Sequence, residues 1–253
     1  MSATSSSPAL ASPVLRLAWW GTAWLRGLVV TDLMLDAVID DDATHTVAGL
    51  AELGLGGSDA AETLLGGLGR LRAEGATALG TAFPVEGDVV GLGGPPPFNH
   101  AALEAGEAVV ADAGVGLVPT RVGAVITWQA YAAQRRQLPD VGEADRGLRA
   151  ALVATTQALV ELDVARWRPD VADRLMNLRH RDALQPAPGV PPRCVELAER
   201  GLQAGEIVDL ALQDEGAAVS AAEMSARREA LLPLERAARR ALTAAGSPEV
   251  WPH

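Results

Sequence analysis

His100, Glu104 and Glu107 recur at i, i+4 and i+7, which places an imidazole and two carboxylates on one face of a helix. That grouping suits general acid–base chemistry or part of a metal site. Asn99, just before them, is a residue type that caps helices and leaves the amides of the first turn facing outward, where an anion can sit. Arg121 is the cation placed to complete a small-molecule site with them, in a region spanning residues 91–121. The ligand set for a metal is incomplete, because the chain holds four histidines in all (His45, His100, His180 and His253) and none joins His100 at a ligand spacing. No metal or cofactor is therefore expected, and no catalytic residue is assigned.

Other chemistry is excluded more firmly. All 21 basic residues are arginine, so no Schiff base, P-loop lysine, kinase strand lysine or Ser-x-x-Lys acylation site can exist. Tyr131 has no lysine four residues on. Gly91-x-Gly93-Gly94 has the look of a phosphate loop, but Pro96 stands where a dinucleotide fingerprint needs glycine, and Pro95 and Pro97 offer no N–H. Gly54-x-Gly56 fails in the same way at Asp59. No Gly-x-Ser-x-Gly elbow occurs, and Cys194, the single cysteine, reads as inert core. Asp40-Asp41-Asp42 with His45 lacks the alternating register of a calcium loop and reads as a solvated acidic turn.

The charge is acidic and uneven. Residues 1–113 carry four arginines against fourteen carboxylates, and residues 114–253 carry seventeen against eighteen. Such a surface repels phosphates, and the basic run Arg166–Arg181 is interleaved with aspartates, so nucleic acid is not an expected partner. Arg16, Arg26, Asp32 and Asp36 interrupt the most apolar stretch, which excludes a membrane span there. The start has no basic segment ahead of an apolar one, and with one free cysteine the expected location is cytoplasmic.

The elements that must position these residues follow from periodicity. Residues 1–13 read as a disordered Ser/Ala/Pro tail. Leu17, Trp20, Trp24 and Leu28 predict a helix with a tryptophan stripe in its core, and Thr31-Asp32 starts a second helix. Asp59 and Glu62 predict a capping box for a helix ending near Glu74. Two apolar runs around Glu86-Gly87 predict a hairpin over 77–92. A helix follows from Phe98-Asn99 to about Asp112, with Phe98 stapled to Leu103. A second hairpin over 116–128 is expected to turn at Pro119-Thr120-Arg121. These make a small antiparallel sheet of about four strands with packed helices over 14–132, an α+β arrangement.

Residues 133–142 read as a linker, and 143–245 as a helical region packed with the first part into one unit. Leu148, Leu152, Thr155, Leu159 and Leu162 form a seam that wants a partner helix. A short helix is expected from Pro169 to Arg179, and the prolines of 183–192 mark a loop. A long helix with small residues at Ala198, Gly201 and Gly205 comes next, then one over 220–245 with a kink at Pro233.

The segment from Ala211 to Ser220, continuing through Arg236–Leu242, resembles conserved actinobacterial proteins of unknown function. The resemblance implies a high-GC cytoplasmic origin and brings no activity or site residues. The function expected from the whole is non-catalytic association, as a homo-oligomer or with another protein. The alternative is a small-molecule-binding protein or enzyme that uses Asn99, His100, Glu104, Glu107 and Arg121.

Overall fold

A computed structural model describes residues 12–56, 60–134, 136–161, 183–213 and 221–252. The Asp59 cap, Leu162, the helix over 169–179, the basic run with His180, most of the N-terminal tail and His253 lie outside them. The described residues form two compact units. The first holds residues up to Ala82, Gly91–Gln137 and Pro186–Val190, and the second holds the remainder.

The first unit is a six-stranded mixed sheet with four helices. Helix α1 (Pro13–Leu25) starts inside the stretch read as tail, because Ser12 accepts from Val14 N and Pro13 fills the first turn. Of the expected stripe Leu17 and Trp24 are buried and Trp20 is half-buried, while Trp19, outside the stripe, is buried as well. Leu28 lies beyond the helix end and is 51% exposed. Helix α2 (Thr31–Ile39) has Val30 at its N-cap, without a side-chain cap. Thr31 spends its hydroxyl accepting from Trp24 Nε1 at 3.1 Å.

Strand β1 (Thr44–Ala48) follows the acidic turn, and β2 (Glu62–Thr63) pairs with it antiparallel. Helix α3 (Leu64–Ala73) is capped by Thr63, which accepts from Gly66 N, while Glu62 pairs with Arg70. Then come β3 (Leu79–Ala82), α4 (Pro96–Ala105), β4 (Ala108–Ala111), β5 (Val115–Val122) and β6 (Val125–Ala132). The sheet order is β2-β1-β6-β5-β4-β3, parallel only at β1–β6. The sequence pattern predicted about four antiparallel strands, and the difference has local causes. Gly106, at φ +73°, ends α4 early and frees Ala108–Ala111 to become a strand. The turn after β5 is at Gly123-Ala124, not Pro119, because β5 runs straight through that proline. Pro119 lies beyond the last residue paired to β4, where no ladder N–H is needed.

One face of the sheet carries His45, Val47, Ile126, Trp128, Leu117 and Leu79, and α1 and α3 cover it. Thr22 of α1 both donates to Leu79 O and accepts from Leu79 N, which satisfies the backbone of the edge strand. Gly67 of α3 comes so close to Val47 that a Cβ there would fall 2.5 Å from it. On the other face α4 sets Phe98 over Gly116 in a cluster with Ala82, Leu92, Ala102, Val110 and Val118. Leu103 packs on the same cluster.

The second unit is helical: α5 (Val141–Glu161), α6 (Pro192–Gln213) and α7 (Ala221–Ala245). Asp140 caps α5 through Gly142 N and Glu143 N, so the end of the presumed linker belongs to the helix start. The seam of α5 finds its partner within the unit. Leu148 is fully buried, and Thr155 donates to Ala230 O of α7. Gly201 of α6 meets Leu242 and Ala238 of α7, whereas a Cβ at Gly205 would meet nothing within 4 Å. Helix α7 runs through Pro233 as one element. The chain turns at Glu86-Gly87 as expected, but with a single bridge, Val85 to Asp88; of the two expected runs only Leu79–Ala82 forms a strand, and it pairs with β4 instead. Arg240 grips the Asp88 carboxylate at 2.8 and 3.1 Å, and Thr243 accepts from Phe83 N. No helix among the described residues is long and apolar enough to cross a membrane.

Candidate functional site

Among the described residues, chemistry-bearing groups cluster most densely at the acidic turn after α2. Asp40 sits at φ +53°, a conformation uncommon for L-residues, and the turn brings Asp42 back over α1. Asp40 and Asp41 are exposed, as a solvated turn requires, but the side chain of Asp42 is only 9% exposed and departs from that reading. Its carboxylate accepts from Arg121 at 2.5 and 3.3 Å, from Arg16 at 3.3 Å and from His45 Nε2 at 3.0 Å. Arg16 also donates to Val38 O and faces Asp40 at 3.4 Å. Trp128 Nε1 donates to His45 Nδ1 at 3.3 Å, with the ring centroids 5.9 Å apart.

That geometry assigns the tautomer. A nitrogen that accepts from an indole N–H carries no proton, so His45 holds its proton on Nε2 and gives it to Asp42. Burial pushes the imidazole pKa below its ordinary value, against the pull of Asp42 in the other direction. Burial would raise the Asp42 carboxyl, but the bonds from Arg121 and His45 outweigh it and hold the group below its usual range. Both ring nitrogens are engaged and the ring is fully buried. A general base must reach a substrate proton, and this ring reaches only Asp42 and Trp128. The cluster is a polar clamp that ties α1, the turn, β1, β5 and β6 together.

The structure does not gather the residues singled out from sequence. Arg121 belongs to the clamp. His100 and Glu104 pair with each other at 3.7 Å, with side chains 78% and 72% exposed. Glu107 lies past the Gly106 cap, off the helix face shared by His100 and Glu104, and accepts from Ser12 Oγ. Asn99 is not the cap of α4. Pro95 occupies that position, and Asn99 Oδ1 accepts from Gly94 N at 3.0 Å. The amide of Gly94 is thereby used within the glycine loop, and Pro96 and Pro97 leave the start of α4 poor in donors. Cys194 is buried, and burial pushes its thiol up to about 11, which keeps it protonated and unreactive. Among the described residues no three His, Cys, Asp or Glu side chains assemble as a ligand set.

Sequence reasoning missed Asp42, His45 and Trp128 as one unit. The Asp42-x-x-His45 spacing was the available signal, but the partners that bury it lie 26, 79 and 83 positions away. A separate open groove of about 220 Å³ runs along β6 in the first unit, lined by Glu52, Gln129, Tyr131, Pro95 and Phe98 among others.

Two family matches cover the chain: the Rv1486c-like protein N-terminal domain over residues 14–144 and the Rv1486c-like protein C-terminal domain over residues 142–243. The chain is 30% identical over 229 residues to an uncharacterized protein, Rv1486c, of Mycobacterium tuberculosis strain H37Rv. The match spans 74% of this chain and 79% of the relative. A second uncharacterized protein, MT1533, from strain CDC 1551, matches to the same extent. No solved structure matches the chain.

Proposed function

The chain belongs to the Rv1486c-like family, and we propose that it is a non-catalytic cytoplasmic protein acting through association, first of all with a second copy of itself. One observation carries this. Leu28 and Val30, between α1 and α2, and Leu33, in the first turn of α2, are 51%, 71% and 49% exposed. Scattered exposed aliphatics are ordinary, but three together on one helical hairpin are the kind of apolar patch that partners cover. The engagement of His45 and Asp42 in the clamp, and the burial of Cys194, point away from catalysis by those residues. The α5 seam and Gly201 pack within the second unit, which supports assigning association to the α1–α2 hairpin and not to them.

Sedimentation equilibrium tests this directly. Wild type should show a concentration-dependent dimer, and Val30→Asp with Leu33→Asp should be a folded monomer. A wild type that stays monomeric at all concentrations removes self-association. A mutant that dimerises as well as wild type removes this patch.

A further inference from the structure

The β6 edge is covered unevenly. Strand β1 pairs with Val125–Gln129 and stops at Ala48. Farther along, Gln134 N donates to Gly94 O, so the glycine loop closes the same side. Backbone direction alternates along β6: Ala124 O accepts from Ala43, on the β1 side, and Ala133 N donates to Gly114, on the β5 side. By that alternation Ala130 and Ala132 face the β1 side: the Ala48–Gln129 pairing takes the Ala130 N–H, Gly49 lies near Ala130 O, and Ala132 turns its N–H and C=O to the side that β1 has left. Between the end of β1 and the Gly94 loop lies a slot about three residues long.

The groove of about 220 Å³ is that slot, because four consecutive residues of β6, Gln129 to Ala132, line it. Pro95 and Phe98 wall one side, and Tyr131 lies against Phe98 with ring centroids 6.4 Å apart. Gln129 Nε2 reaches back to Ala130 O at 3.5 Å, a long bond to an acceptor that an added strand would use. The volume is below the ~300–1,000 Å³ of an enclosed small-molecule pocket, and the slot has the shape of a missing piece of strand. Glu52 is the one ionisable acid or base other than Tyr131 among its lining residues, and residues 1–113 carry four arginines against fourteen carboxylates. We propose that this slot is a strand-addition site for an extended segment of another protein, about three residues long, with an arginine or lysine that pairs with Glu52. It is a surface separate from the Leu28–Leu33 patch.

The test is an amide-correlation NMR titration of the full chain with pools of acetylated, amidated pentapeptides. One pool has arginine at the centre with randomised flanks, a second has glutamate there, and a third has an N-methylated central arginine. The arginine pool should shift the amides of Gln129–Ala132, and the glutamate and N-methyl pools should not. Glu52→Gln should weaken the arginine pool about tenfold. Ala132→Pro, which removes a donor facing the slot, should abolish binding; if that variant fails to fold, the N-methyl pool makes the same test. No shift with about 1 mM arginine pool, equal shifts with the glutamate pool, or shifts confined elsewhere would overturn the proposal. Val30→Asp should leave the titration unchanged, which separates this site from the association patch.

Discussion

His45 is a buried base with an acceptor role at one nitrogen and a donor role at the other, and acid acts on it first. Its unfolded value is near 6.5 and its folded value is lower. Between the two, the unfolded chain holds the extra proton, so stability is full above about pH 6.5 and falls as pH drops through that window. Asp42, held below its ordinary 3.8, has the same sign at lower pH: its contribution is present above that value and is lost as pH falls through the folded one. The urea midpoint should therefore hold level above about pH 7.5 and decline from about pH 6.5 downward. His45→Gln should lower the plateau and flatten the first part of the decline. A wild-type midpoint unchanged between pH 8 and pH 5 would contradict the clamp. At the same scale, Asn99→Ala leaves the buried Gly94 amide unpartnered and should cost about 1–3 kcal/mol. His100→Ala, on an exposed side chain, should stay within about 0.5 kcal/mol in the same melts. The Asn99 effect was anticipated from sequence as a helix cap, but its physical source is the loop.

At the scale of elements, helices were more legible than strands. Helix α1 announced itself by three- and four-residue spacing, α5 by its leucine seam and α6 by its small residues. Strands β1 and β4 were hidden, because five residues after an acidic triplet and four residues after a glycine cap carry no local period that outweighs their neighbours. Their evidence is in pairing: β1 lies against β6, about eighty positions on. Close approach makes two glycines behave oppositely. Gly116→Ala would put a Cβ 2.3 Å from Phe98 and should cost about 1–3 kcal/mol by pushing α4 off the sheet. Gly205→Ala meets open space in a helix and should stabilise by up to about 1 kcal/mol. Equal effects in thermal melts would contradict these packings. Along α5, Leu148→Ala should cost about 2–5 kcal/mol and Leu159→Ala distinctly less, since only Leu148 is fully buried.

At the scale of the whole molecule, composition excluded lysine chemistry, and no part of the fold reopens it. The candidate site was the least legible feature. Arg121 was picked as a ligand-binding cation and is instead a partner of Asp42, because its contact spans 79 positions that no local pattern reports. Leu28 looked like the continuation of a core stripe, but the helix ends at Leu25 and leaves it exposed beside Val30 and Leu33. Association through that hairpin is the central claim, and native mass spectrometry of the purified chain beside Val30→Asp with Leu33→Asp tests it most directly. Wild type should be a dimer with no small molecule retained, and the mutant a folded monomer. A wild-type monomer carrying a stoichiometric copurified ligand would contradict association through the hairpin.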